Sequence, residues 1–243
     1  MVVGLNTDKL SVRLAAVAKY VPNGARLADI GSDHAYLPCY LAKNEGLPFA
    51  IAGEVAAGPF QSAKRNVLAE GLNDIISVRM GDGLEVIQEG EVDCITIAGM
   101  GGALIASILE NGKEKLSSVK RLVLQPNISA ISIRKWFIDN SWELIGEEIL
   151  EEDGKIYEIL IGEKGDPYIP YSPNQDLGLL VGPFLVQKHD ETFKKKWTAE
   201  MKNWERIYGA LEKAAQSPET LEKRQELIDK IKLVKEALTD EDS

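Results

Sequence analysis

Four acidic side chains and one histidine stand where an α/β chain does its chemistry: Asp29, Asp33, His34, Glu54 and Asp82. The densest group lies in Ala-Asp-Ile-Gly-Ser-Asp-His-Ala-Tyr-Leu-Pro at 28–38, where Ser32 adds a hydroxyl. A short apolar run ends at Ala28, and an apolar helical pattern runs from Tyr36 to Leu41. Strand, glycine-containing turn and helix is the first unit of a doubly wound α/β domain. Gly31 lets a ligand approach the backbone. The turn is not a dinucleotide fingerprint, because G-x-G-x-x-G requires glycine where Asp33 and Tyr36 stand. Two carboxylates near a helix N-terminus repel a diphosphate and complement an ammonium or sulfonium group.

The next acidic positions extend that site. Phe49 to Gly53 reads as a strand ending in Glu54, 23 residues after Gly31. An acidic residue about 20 residues past the first glycine turn is placed to accept ribose hydroxyls. Asp82 follows the strand Ile75–Met80 between two glycines, where its carboxylate could take an adenine amino group or simply shape an Asp-Gly turn. A cationic, ribose-bearing, adenine-bearing ligand is S-adenosylmethionine. Val92 to Ile97 is a nearly continuous apolar strand, as a buried parallel strand should be. It runs into Ala98-Gly99-Met100-Gly101-Gly102, whose three glycines leave room for a flat group. Arg121 to Leu124 ends in Gln125-Pro126-Asn127, two amides that could meet a base edge or cap the helix beginning near Ser129.

The remaining elements must hold these strand ends in place. Leu10, Leu14, Val17 and Ala18 predict an amphipathic helix over 7–20, with Thr7 or Asn6 as N-cap and Arg13 on another face, where it could reach over the mouth of the first strand or be a plain surface arginine. Trp142–Glu151 and Lys155–Ile161 flank Glu152-Asp153-Gly154 as a hairpin and bring the strand count to seven. The Pro/Tyr-rich stretch 166–173 marks a domain boundary, giving a core over 1–163 and an appendage over 164–243. In the appendage, Trp197, Met201, Trp204, Tyr208, Leu211 and Ala215 step by heptads, as do Leu227, Ile231, Val234 and Leu238. Gln216-Ser217-Pro218 breaks them into an antiparallel helical hairpin.

Composition narrows the class further. Net charge is −10, but the core carries 15 basic and 23 acidic side chains against 13 and 15 in the appendage. The appendage holds Lys188, Lys194, Lys195 and Lys196, a cluster that can meet phosphates or line a solvated helix face. No apolar run reaches the ~20 residues of a membrane span, and no charged-then-apolar leader opens the chain. With Cys39 and Cys94 alone and two histidines, neither a disulfide framework nor a metal site is expected. A cytoplasmic enzyme is the expectation.

Together, 28–38, Gly53-Glu54, Gly81-Asp82-Gly83-Leu84, Ala98 to Gly102 and Leu124-Gln125-Pro126-Asn127 resemble the bacterial tRNA (adenine(22)-N1)-methyltransferase family along essentially the whole chain. The resemblance implies a Rossmann-like, seven-stranded class I methyltransferase core with a C-terminal coiled-coil hairpin. It implies methyl transfer from S-adenosylmethionine to N1 of adenine 22 in tRNA; the composition points to no metal and no membrane partner, and a monomer is slightly favoured over an oligomer. By position, Asp29, Gly31, Ser32, Asp33 and His34 would surround the methionine moiety, with Arg13 alongside. Glu54 would hold the ribose, Asp82 and Gly83 the adenine, and Ala98, Gly99 and Met100 the cofactor's other side. Gly99 to Gly102 and Gln125 to Asn127 would line the target-base pocket. Asp33, Tyr36, Gln125 and Asn127 would be the catalytic set, and Lys188, Lys194, Lys195 and Lys196 would grip tRNA.

Two other functions fit parts of the sequence. A methyltransferase acting on a small molecule or protein suits the acidic core but leaves the appendage unused. A non-catalytic tRNA-binding or assembly protein suits the appendage but leaves Asp29, Glu54 and Asp82 unexplained.

Overall fold

The computed structural model describes Thr7, residues 9–213 and residues 217–239. The chain divides into two compact units, Met1–Pro167 and Tyr168–Ser243. The division falls inside the Pro/Tyr-rich stretch and not at residue 163, because the last strand of the core runs on to Lys164.

The first unit is built on one seven-stranded sheet. Its strands are β1 (Arg26–Ile30), β2 (Phe49–Glu54), β3 (Ile76–Met80), β4 (Cys94–Gly101), β5 (Arg121–Ile128), β6 (Trp142–Glu152) and β7 (Lys155–Lys164). The order is β3-β2-β1-β4-β5-β7-β6, with β1 to β5 parallel and β7 antiparallel to both neighbours. The order reverses between β1 and β4, and ligands of such sheets sit outside the strands' carboxyl ends at that switch point. The central strands bury nearly every side chain, as in Leu27, Ala28, Ala50, Ile51, Ala52, Ile95, Ile97 and Leu122 to Leu124.

Helices α1 (Val12–Ala18), α2 (Tyr36–Asn44), α3 (Ala57–Ala69), α4 (Gly102–Asn111) and α5 (Ala130–Asp139) complete this unit. The first helix is shorter than the expected 7–20. Ser11, not Thr7, caps it, accepting the Leu14 N–H at 3.1 Å. Thr7 is buried and its hydroxyl donates to the Glu70 carboxylate; Asn6 lies outside the described residues. Strand β4 runs four residues past Ile97, through the glycine-rich segment, with its register against β5 broken between Ala98 and Gly101.

The second unit holds more helix than the two-helix hairpin expected. After a 3₁₀ turn at Ile169–Tyr171 come α6 (Gln175–Val181) and α7 (Pro183–Lys188), then α8 (Glu191–Glu212) and α9 (Pro218–Leu238). The last two pack together, with Phe193, Trp197, Leu227, Val234 and Ala237 buried and Trp197 and Trp204 ring centroids 6.2 Å apart. Ser217 caps α9, accepting the Thr220 N–H at 3.2 Å; Ala215 and Gln216 lie outside the described residues.

Candidate active site

Asp29 stands one residue before the end of β1 as a buried carboxylate. It accepts hydrogen bonds from Ser32 Oγ and Thr96 Oγ1, both at 2.6 Å. Thr96 stands directly beside Asp29 in the parallel register of β1 and β4. Burial pushes the Asp29 carboxyl above the ordinary carboxylate range, and the two hydroxyls and the positive charge of Arg13 pull it back.

The turn after β1 is tightly wound. Gly31 has φ +69°, a backbone conformation that L side chains rarely adopt, and the flexible end of the Met100 side chain lies over it, 2.2 Å from where a Cβ would stand. The backbone N–H groups of Gly31 and Ser32 both donate to the Gly53 carbonyl, at 2.9 and 3.1 Å, which ties the turn to β2. Asp33, His34 and Ala35 then take positive φ in succession, 43°, 69° and 57°. This run points the Asp33 side chain, 82% exposed, into the open. His34 Nε2 lies 3.5 Å from Asp33 Oδ1, and its ring stacks on Tyr36 with centroids 5.3 Å apart.

Glu54 ends β2 and is 5% exposed. The Asp33 backbone N–H donates to its carboxylate, while Oε1 is buried and has no hydrogen-bond partner in the protein. Burial raises the Glu54 carboxyl above the ordinary range; the Asp33 N–H opposes that shift, and the neighbouring charges of Asp29 and Asp33 add to it. Next in the sheet, Asp82 heads a 3₁₀ turn, Gly83–Val86, and its backbone N–H donates to the Glu85 carboxylate at 3.0 Å. A cavity of about 270 Å³ opens beside it, lined by Asp82, Gly83, Leu84, Ile108, Asn111 and Lys115 among others. A cavity of about 360 Å³ lies within the second unit, lined by Tyr171, Pro173, Leu177 and Glu236 among others.

The ends of β4 and β5 are held by side-chain amides. Gln125 is fully buried, and its Oε1 accepts from the Gly99 N–H at 3.0 Å and from Arg13 Nη1 at 2.5 Å. Its Nε2 donates to the Pro126 carbonyl at 2.9 Å and to Asn127 Oδ1 at 3.4 Å. Asn127 Nδ2 closes the ring by donating to the Gly99 carbonyl at 2.7 Å. Gln125 therefore spends its amide on shaping the rim, whereas Asn127 is exposed at it. Gly102 contributes differently from Gly99: a Cβ there would strike the Ser129 carbonyl oxygen at 2.1 Å, so that glycine serves backbone packing.

The structure thus brings Asp29, Gly31, Ser32, Asp33, His34, Tyr36 and Glu54 around one turn, with Met100 lying over Gly31. Arg13, Ala98, Gly99, Gln125 and Asn127 form the adjoining rim, where Arg13 bonds Gln125. Thr96 and Asn66, whose Nδ2 donates to the His34 carbonyl at 2.9 Å, escaped the sequence reading. Thr96 did leave a signal: it is the one hydroxyl inside the apolar run of β4. Lys188 ends α7, while Lys194, Lys195 and Lys196 sit in the first turns of α8, where Lys194 lies 3.7 Å from Glu191 and Lys196 covers the Trp197 ring.

Burial pushes the Cys39 thiol up to about 12 and raises that of Cys94 as well. Among the described residues no cluster of three or more His, Cys, Asp or Glu could hold a metal ion, and no helix is long and apolar enough to cross a membrane.

Comparison with known proteins identifies the family. The family model described as tRNA (adenine(22)-N(1))-methyltransferase matches residues 27–236. The tRNA (adenine(22)-N(1))-methyltransferase of Bacillus subtilis (strain 168) is 54% identical over 235 residues, 96% of this chain and 99% of that protein. A crystal structure of the B. subtilis m1A22 tRNA methyltransferase superposes with a TM-score of 0.93, covering 96% of this chain and all of that one. A putative tRNA (m1A22) methyltransferase of Streptococcus pneumoniae, solved with S-adenosyl-L-methionine, is 44% identical with a TM-score of 0.84, covering 95% of this chain and 100% of that one. This chain belongs to the tRNA (adenine(22)-N(1))-methyltransferase family.

Proposed function

We propose that the turn at residues 29–36 and the ends of β2, β4 and β5 together bind S-adenosylmethionine and one extruded tRNA adenine. The protein is an S-adenosylmethionine-dependent methyltransferase that modifies N1 of adenine 22 in tRNA. The observation that carries the residue assignment is Glu54 Oε1, a buried carboxylate oxygen with no protein partner. Buried acceptors are nearly always satisfied, and a ribose hydroxyl is the donor this one fits.

Asp29, Asp33 and Glu54 would hold the cofactor, their charge complementing its sulfonium, with Gly31 admitting it close to the backbone. Asp82 and Gly83 would border its adenine. When bound, the cofactor supplies an electrophilic methyl group. Adenine N1 carries an in-plane lone pair, so this chain need provide no nucleophile and no base. Its work is alignment to about 3–3.5 Å and a place for the positive charge the base acquires. Asp33 is exposed at the mouth and is suited to that charge. Tyr36, stacked on His34, and Asn127, at the opposite rim, would bracket the base, while Gln125 fixes the rim behind them. Taking the adenine out of its stack costs a few kcal/mol. Contacts from Lys188, Lys194, Lys195 and Lys196 to tRNA phosphates would offset that. We place the reaction in the cytoplasm and assign it to a monomer.

Incubation with unmodified tRNA and labelled S-adenosylmethionine, followed by nucleoside analysis, tests the activity. N1-methyladenosine should form, and a tRNA carrying guanine at position 22 should stay unlabelled. Label in any other nucleoside, or none in the first tRNA, would overturn the assignment.

A further inference from the structure

The tip of the β6–β7 hairpin lies far in sequence from every motif above, yet it holds the start of α1. The Glu152 carboxylate accepts the N–H of Val12 at 2.5 Å and that of Arg13 at 3.3 Å. With Ser11 taking the Leu14 N–H, the donors that a helix start leaves open are satisfied from two sides. On β7, the Tyr157 ring lies under the Arg13 guanidinium, whose carbon is 5.5 Å from the ring centroid. The hairpin therefore grips Arg13 twice, by its backbone through Glu152 and by its head group through Tyr157. The guanidinium so held donates to Gln125 Oε1, the same oxygen that takes the Gly99 N–H. Two donors on Oε1 and two acceptors at Nε2 leave the Gln125 amide a single orientation.

We infer that Glu152 and Tyr157 are positioning residues for methyl transfer: they aim Arg13, which fixes the Gln125 amide and through it the Gly99–Asn127 rim. The inference rests on reading that rim as the wall of the target-base pocket. A seven-residue helix has little stability of its own. Without Glu152, α1 loses the anchor that sets where Arg13 points. Misplacement of a reacting group by about 1 Å is enough to slow an enzyme by about a hundredfold.

The test is a double-mutant cycle in the full-length enzyme, with unmodified tRNA and S-adenosylmethionine both saturating. Glu152→Ala and Arg13→Met should each lower the single-turnover rate about tenfold, and the double variant should be no slower than the slower single one. Glu152→Asp should recover part of the loss, a rescue that a merely structural role would not give. Should Glu152→Ala fail to fold, Tyr157→Leu takes its place in the same cycle. Independent losses that multiply to about a hundredfold, or a wild-type rate in Glu152→Ala, would overturn the inference. Either result is read against an active wild type, so it leaves the assigned reaction standing; an inactive wild type would instead sink the reaction itself.

Discussion

Asn66, on α3, donates its side-chain amide to the carbonyl oxygen of His34 across 2.9 Å. The bond braces the middle of a run that L-residues avoid, since Asp33, His34 and Ala35 all hold positive φ. Left-handed backbone costs roughly 1–2 kcal/mol at a residue with a Cβ. Glu54 supplies a second brace by accepting the Asp33 N–H. Strain held from two sides around a mouth residue is a pre-organised site.

Ala35 is the place to measure that strain, because it is buried, lacks a polar side chain and has φ 57°. Ala35→Gly should raise unfolding stability by about 1 kcal/mol and lower turnover, since the loosened turn aims Asp33 less well. Calorimetric melting checks the first effect and single-turnover methylation the second. A variant that is both less stable and fully active would contradict the account.

Glu54 carries opposite consequences for stability and binding. Its carboxyl is raised in the folded state, so the folded chain binds more protons than the unfolded one above the ordinary carboxylate range. Stability from this group is therefore present at low pH and is lost as pH rises through its raised value. Glu54→Gln should make the cofactor-free protein more stable at neutral pH and flatten that part of its pH profile. The same change should weaken S-adenosylmethionine by roughly 1.5–3 kcal/mol, the worth of a charge-assisted hydrogen bond. Melting curves across pH, with calorimetric titration of the cofactor, separate the two.

Much of this was legible in the sequence, for physical reasons. Buried parallel strands must be nearly all apolar, so β1, β2 and β4 announced themselves, and Asp29 and Glu54 stood out as carboxylates closing apolar runs. The helices α6 and α7 did not, because seven and six residues are too few to display a period among prolines and glycines. The length of α1 was overestimated because a helical apolar pattern began at Leu10, before the cap at Ser11. Asn66 and Glu152 were invisible for another reason: each acts on backbone groups tens of residues away, a relation that leaves no local spacing.

Asp33 is assigned to the charge that the methylated base acquires. Asp33→Asn keeps the size and the exposed position while removing the charge. Its single-turnover rate should fall by about ten- to a hundredfold, with tRNA affinity changed far less. Filter binding and rapid-quench methylation on the same variant give the comparison, and wild-type turnover at saturation would return Asp33 to a structural role.

The strongest electrostatic commitment lies outside the site. Arg134 on α5 is wholly buried and holds two carboxylates: Glu147 Oε1 accepts its Nε at 2.7 Å, and Glu158 Oε2 accepts Nη2 at 2.7 Å. These ties fasten α5 to β6 and β7, the strands whose hairpin holds α1. Arg134→Met would bury two carboxylates without their cation, and should cost about 3–5 kcal/mol. Urea unfolding measures it; a loss under 1 kcal/mol would mean that the carboxylates find other partners.

The lysines of α8 offer the test of how tRNA is gripped. Lys194 lies 3.7 Å from Glu191 and Lys196 covers Trp197. A surface ion pair such as Lys194–Glu191 is worth little, so a phosphate can compete for that ammonium group. Each phosphate neutralised contributes about 0.7–0.9 to the slope of log affinity against log salt. Changing Lys194, Lys195 and Lys196 together to Glu should weaken tRNA binding and flatten that slope by about 2 if all three make contact. Cofactor affinity should not move, since the residues assigned to the cofactor all lie before Pro167. An unchanged slope with unchanged tRNA affinity would remove α8 from the tRNA interface and leave it as a docking arm for a protein partner.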